Sequence, residues 1–195
     1  MAPSEMSDLD VRAALLAAAR AELAECGHAA ISLRAVARRA GVSHAAPKYY
    51  FADRAALLTA VATEGFNELA AALRSVRASL AAFGQAYIDF GLANRALFDL
   101  MFRPNELHAG DPELLRAQRA AIGTLNSVVA IAEGQTEPVG AASPELTLIC
   151  WALVHGLVVL TRDGALQSGA GRSHRSGPDL AHDLAAAFTA IVTDQ

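Results

Sequence analysis

Between Gly27 and Asp53 the sequence stops and restarts a helix three times, and this punctuation limits the possible folds more than any other feature. Val11, Leu15, Ala18, Ala19 and Leu23 recur at helical spacing, so a first helix is predicted from about Asp8 to Cys26, with Ser7 or Asp8 as its cap. Gly27 ends it. Ser32 caps a second helix, "LRAVARRA", that turns Leu33, Val36, Ala37 and Ala40 inward, and Gly41 closes it. Ser43 is the expected cap of a third helix and Asp53 of a fourth. Pro47 then lies four residues inside the third helix. Only the first intrahelical hydrogen bond is lost there, a much smaller cost than the ~3 kcal/mol of a proline deep in a helix.

Charge follows the same punctuation. The 195-residue chain carries a formal net charge of −4, which argues against indiscriminate binding to nucleic acid. From His28 to Arg54, however, the five cations Arg34, Arg38, Arg39, Lys48 and Arg54 face one acid, Asp53. Five minus one leaves +4 on this segment. A small basic patch on an acidic body suits a DNA reader, although surface solvation alone also produces such clusters.

The rest of the chain reads as helix. Composition is 53% hydrophobic and rich in alanine, and no strand pattern or internal repeat is visible. Leu57, Val61, Phe66, Leu69, Leu73, Val76 and Leu80 predict a fourth helix running to about Ala82, where Phe83 and Gly84 interrupt the pattern. Two shorter helices should then reach Pro104, a loop should follow, and another helix should occupy residues 112–133. Residues 145–160 are apolar almost all round, which predicts burial on more than one side, and residues 178–192 are amphipathic. The connection 133–144 and the Gly/Ser-rich stretch 163–177 are expected to be loops, the second one mobile. The fold class is therefore all-α.

No apolar stretch is expected to reach the length of a membrane span, and the acidic N-terminus does not resemble a signal peptide. Cys26 and Cys150 lie far apart in helix-like surroundings, as buried thiols in a reducing compartment would. A cytoplasmic location with no membrane partner is the expectation.

Residues 13–61 resemble the DNA-binding domain of TetR-family transcriptional regulators. The resemblance rests on the order of elements: a helix, Gly27, "LRAVARRAGVS", an aromatic pair ending in Phe51, and the "ADRAALL" helix start. It implies a helix-turn-helix domain over residues 1–55 and a ligand-binding and dimerisation domain over 56–195. Ala37 lets two helices cross closely, Val42 fills the gap between them, and Phe51 anchors the end of the reading helix. The DNA-binding set is Arg34 and Arg54, placed to reach phosphates, with Ser43, His44, Lys48, Tyr49 and Tyr50 on the reading helix. This chain departs from many family members in having Lys48 where an aromatic is usual and Tyr49 where a polar residue is usual. The aromatic contact to the DNA backbone then falls to Tyr49 or Tyr50, with Tyr50 equally readable as a packing residue. Lys48 reaches either a guanine edge or a phosphate.

"ANRALFDLMFRP" and "WALVHGLVVL" resemble the C-terminal domain of one TetR subgroup marked by Trp-x-x-x-His-Gly. Trp151 and His155 are four apart and share a helix face. The resemblance implies an apolar pocket in which Tyr87, Phe90, Phe98, Met101 and Phe102 meet Trp151, with His155 as the polar orienting group. Ordinary core packing is the competing reading of each of these residues. The same resemblance implies a homodimer through residues 145–160 and 178–192, with Leu153, Leu157, Leu160, Leu184, Phe188 and Ile191 facing the partner.

Enzyme readings find little support. Asp179 and His182 lack the companions a helical metal site needs, the cysteines lack metal-ligand spacing, and no phosphate loop or nucleophile elbow is present. No catalytic residue, metal or cofactor is expected. The expected partners are a double-stranded DNA operator and a small-molecule effector. A helical small-molecule-binding or protein-interaction protein that keeps the fold without sequence-specific DNA binding is the alternative.

Overall fold

A computed structural model describes residues 8–76, 78–134, 143–169 and 175–193. Ten α-helices and two 3₁₀ turns occupy these residues. The helices are α1 (Asp8–Cys26), α2 (Leu33–Ala40), α3 (Ala46–Tyr50), α4 (Arg54–Ser75), α5 (Leu80–Ala93), α6 (Arg95–Met101), α7 (Pro112–Ala132), α8 (Pro144–Arg162), α9 (Ala165–Gly169) and α10 (Gly177–Thr193). The 3₁₀ turns are His28–Ala30 and Pro104–Glu106.

The chain forms two compact units that do not follow sequence order. One takes the residues up to Phe66 together with Ala96–Ala117, and the other takes Asn67–Arg95 with Gln118–Gln195. The domain boundary expected at residue 55 falls at the start of α4, whereas the two units divide that helix after Phe66.

In the first unit α1, α2 and α3 pack on one another. Leu15, Leu23, Val36, Phe51, Leu57, Leu58 and Val61 form the shared core. Ser32 accepts a hydrogen bond from the Ala35 N–H at 3.2 Å, as its expected capping role requires. Gly41 adopts φ 69°, and the N–H groups of Gly41 and Val42 return to the carbonyls of Arg38 and Ala37. This closure satisfies two carbonyls that the helix end leaves open, and it needs a residue at ease with positive φ.

Two expected boundaries move. Ser43 does not cap α3: its carbonyl accepts from the Ala46 N–H in a preceding turn, and the helix begins at Ala46. Pro47 thus sits in the first turn, where no N–H is needed, and costs less than its expected position would. The fourth helix ends at Ser75 rather than near Ala82, and Phe83 and Gly84 lie inside α5. Ser79 starts α5 by accepting from the Ala82 N–H at 3.2 Å. The apolar stripe kept its phase across the break, so periodicity alone did not reveal it.

In the second unit α5, α8 and α10 pack on one another. Gly84 lies at this contact, where an added Cβ would stand at ordinary van der Waals distance, 3.4 Å from the Ala185 Cβ and 3.6 Å from Val154. By length and composition α8 would suffice to cross a membrane, contrary to the sequence expectation. One of its faces nevertheless turns Thr147, Cys150, Val154, Leu157 and Val158 into the core. The loops expected at 133–144 and 163–177 lie partly outside the described residues. The described part of the second contains α9 instead of irregular chain.

Candidate functional site

The reading segment displays cations selectively. Arg34, Arg38 and Lys48 are exposed and, among the described residues, form no ion pair. The other two cations of the basic segment are engaged in bonds within the chain. Arg39 donates from Nε to Glu22 at 2.7 Å and from both terminal nitrogens to Glu25, which ties α2 to α1. The Arg39 hydrogen bond also holds the Glu25 carboxyl below the usual range, against a smaller opposing effect of burial. Arg54, expected at a phosphate, donates instead to the Ile31 carbonyl at 3.0 Å, the His28 carbonyl at 2.6 Å and Glu106 at 2.7 Å. A signal for Arg39 was present in the sequence: Glu22 stands beside Leu23 on the buried face of α1, and a buried carboxylate requires a cation.

Around these cations the reading residues separate by exposure. Tyr49 is 78% exposed and meets Tyr50 edge-on, with 5.0 Å between ring centroids. Tyr50 is half-buried, and its hydroxyl donates to Asp8 at 3.0 Å. Of the two tyrosines, Tyr49 is the one presented to solvent and Tyr50 the one held in place. Ser43 and His44 are exposed in the turn before α3, and Lys48 is exposed within it. Phe51 is buried with the Arg12 guanidinium 5.6 Å from its ring centroid, an arrangement suited to a cation–π contact.

The seven expected effector residues divide between the two units. Tyr87, Phe90, Trp151 and His155 belong to the second; Phe98, Met101 and Phe102 belong to the first. In the first unit Phe102 stacks obliquely on Phe98 at 4.9 Å and meets Phe66 edge-on at 5.5 Å. Met101 and Leu97 close over Gly65, where a Cβ would lie only 2.7 Å from the Met101 sulfur. Phe98 and Met101 are fully buried there, as core residues are.

In the second unit Tyr87 joins Trp151 and His155. The Trp151 Nε1–H donates to the Tyr87 hydroxyl at 3.2 Å, and that hydroxyl lies 3.1 Å from His155 Nδ1. Because the oxygen accepts from Trp151, we assign its own proton to Nδ1, which puts the imidazole proton on Nε2. Burial pushes the Tyr87 hydroxyl well above the ordinary phenol value, with the Trp151 hydrogen bond opposing it. Burial likewise holds His155 below the usual imidazole value, and the nearby Arg162 charge adds to the effect. This constellation is neutral near pH 7 and polar at its centre. Beside it a void of about 20 Å³ is lined by Phe83, Cys150, Leu153, Val154 and Phe188, among others.

The six expected interface residues also divide. Leu157 is 4% exposed and faces the core of its own unit, and Leu153 and Phe188 line that void. Packing inside the chain buries Leu157, while Leu153 and Phe188 stay half-buried. Leu160, Leu184 and Ile191 remain exposed, joined by Leu148 and Ile149, which the sequence reading missed. At helical spacing Ile149, Ala152, Gly156 and Leu160 share one face of α8. A Cβ built at Gly156 would meet nothing within 4 Å, so no contact within the chain explains that glycine.

Comparison with known proteins gives concordant matches. Residues 15–61 match the family model for bacterial regulatory proteins of the tetR family, and residues 80–192 match that for the tetracyclin repressor-like C-terminal domain. A solved protein of unknown function from Rhodococcus sp. RHA1 is similar at 32% identity and TM-score 0.76, over 96% of this chain and 97% of that one. A tetR-family regulatory protein from Rhodococcus RHA1 aligns at 21% identity and TM-score 0.57, over 94% of this chain and 95% of that one. LfrR from Mycobacterium smegmatis, solved in complex with proflavine, aligns at 21% identity and TM-score 0.57, over 90% of this chain and 94% of that one. No curated protein matches. With one model covering its reading segment and another covering more than half of its length, the chain belongs to the TetR family of bacterial regulatory proteins, which are DNA-binding transcriptional regulators and not enzymes.

Proposed function

We propose that this regulator is a homodimeric repressor that reads a near-palindromic operator through α3 and releases it when a small apolar or amphipathic molecule binds its C-terminal unit. The observation that carries the DNA reading is that Arg34, Arg38, Lys48 and Tyr49 are exposed around α3, with the three cations in no ion pair among the described residues. The chain's other basic residues in this segment are paired internally, so these four side chains provide the charge and stacking surface for a duplex. Ser43 and His44 approach the bases from the preceding turn, Lys48 contacts a guanine edge or a phosphate, and Tyr49 contacts the backbone. Tyr50 supports Tyr49 through the edge-on pair.

The exposed apolar face of α8 and α10 supports the dimer. Leu148, Ile149, Leu160, Leu184 and Ile191 present side chains that a second copy would cover, and Gly156 permits a partner helix to approach closely. Tyr87, Trp151 and His155 orient the effector. That LfrR is described with proflavine supports a small-molecule effector for this fold. In mechanism, effector binding biases the arrangement of α4, which has residues in both units. Half-sites read roughly 34–36 Å apart tolerate little change in the separation of two reading helices.

Selection from a random duplex pool at near-physiological salt tests the reading. Enrichment of a near-palindrome is expected, and recovery of unenriched sequence would favour an interaction protein that keeps the fold without reading DNA.

A further inference from the structure

Arg54 stands at the first position of α4, immediately after the reading helix, where a cation is well placed for a phosphate. All three of its guanidinium nitrogens are committed elsewhere. Nε and one terminal nitrogen hold the carbonyls of Ile31 and His28, the two residues that bracket the turn into α2. The third holds Glu106, 52 residues further along the chain. Two more bonds fasten the same segment to the same helix start. The His108 N–H donates to the Thr59 hydroxyl at 2.9 Å, and His108 Nε2 lies 3.0 Å from the Asp53 carboxylate that caps α4. The Glu106 carboxyl sits below the usual range, chiefly because of the Arg54 hydrogen bond.

The five bonds join three segments: the turn before α2, the start of α4, and residues 106–108. The His28 carbonyl also accepts the Ile31 N–H that closes the 3₁₀ turn, at 3.3 Å, and Arg54 adds a second donor to it and one to the Ile31 carbonyl. Arg54 is oriented in turn by Glu106, because a guanidinium with a fixed carboxylate presents its remaining donors in a fixed plane. Resting on the DNA-reading function proposed above, we infer that Glu106 is a positioning residue for operator binding: through Arg54 it sets the start of α2, and hence the reading helix packed on it, without touching DNA.

Simple electrostatics predicts the opposite sign. Removing an acid from a DNA-binding protein strengthens binding by reducing repulsion. The clasp predicts that Glu106→Gln, a near-isosteric change, weakens it. The test uses the full-length protein, the labelled duplex enriched by selection, and anisotropy titrations across a salt series. Glu106→Gln should weaken binding about 2- to 5-fold, within the range of one broken charge pair of this exposure, with the salt slope unchanged. Arg54→Gln should weaken it more, again with the slope unchanged. A slope lower by about one would make Arg54 a phosphate contact and overturn the clasp. Unchanged or tighter binding by Glu106→Gln would overturn it as well. The double reversal Arg54→Glu with Glu106→Arg should recover part of the affinity lost by Arg54→Glu alone.

A readout without DNA separates the two proposals. Amide hydrogen exchange at residues 28–35 should speed up in Glu106→Gln relative to the unmodified protein. If no variant and not the parent binds any duplex, the DNA reading fails, and exchange still decides the clasp. Unchanged exchange at those residues overturns it.

Discussion

The two units hold themselves together by different means. In the first, long-range polar bonds do much of the fastening: Arg39 to Glu22 and Glu25, Arg54 to two carbonyls and Glu106, and His108 to Asp53 and Thr59. In the second, α5, α8 and α10 meet mainly through apolar side chains, with the Tyr87–Trp151–His155 group and a 2.9 Å contact of His182 with Asp89 as polar features. The contrast follows from size and task. Helices of eight and five residues bury too little apolar surface to orient themselves, so directional bonds add what burial does not supply. Helices of 14 to 19 residues bury more and lean less on such bonds. The cost falls on the basic patch, because two of its five cations serve as internal fasteners.

The strongest test of this contrast concerns Phe98. As a fully buried core residue of the first unit it should cost about 3–5 kcal/mol when truncated to alanine, measured by urea unfolding. A loss below about 1 kcal/mol would return it to the wall of an open pocket. Next is the double change Leu184→Asp with Ile191→Asp on the exposed face of α10. It should yield monomers by light scattering with operator binding weakened at least roughly tenfold, since each half-site is then read alone. An unchanged mass would place the dimer face elsewhere.

Lys48→Ala should cost about 1–3 kcal/mol of operator affinity. Loss of preference at one base pair would identify base reading, and a uniform loss with a shallower salt slope would identify a phosphate. Tyr87→Phe in the second unit should cost about 1–2 kcal/mol of stability, because the Trp151 N–H then loses its acceptor in a buried place. A neutral result would mean that the apolar packing carries that unit without its polar centre. The smallest effect is on pH. With its folded pKa below the ordinary value of about 6.5, His155 takes up a proton more readily when unfolded. Its contribution to stability is complete above that value and declines as pH falls from about 6.5 towards the folded pKa. His155→Gln should reduce this slope in thermal unfolding followed between about pH 7 and 5.

Much of the fold was legible because its signals are local. The bounds of α1 and α2 follow from apolar spacing, the Gly41 turn and the Ser32 cap, all written within a few residues of one another. The failures were of two kinds. At α3 and α5 several residues competed for one cap, and the backbone chose among them: Ser43 lost to the turn that ends at Ala46, and Ser79 went unnoticed behind an unbroken apolar stripe. At the sites, residue type was right and allegiance was not. Arg54 has the chemistry of a phosphate contact and Leu157 that of an interface residue, yet a carboxylate 52 positions away occupies the first and the core of its own unit buries the second.

The sequence by itself determined the all-α class, the helix-turn-helix and the family, because helical period, caps and left-handed glycines act over three or four residues. Only the tertiary structure decided which cations remain available, which apolar faces stay uncovered, and that residues 96–117 fold with the reading segment and not with their neighbours in sequence. Those choices depend on which side chains meet across fifty or more positions, and a hydrogen bond at 2.7 Å between Arg54 and Glu106 leaves no periodic trace in the chain that encodes it.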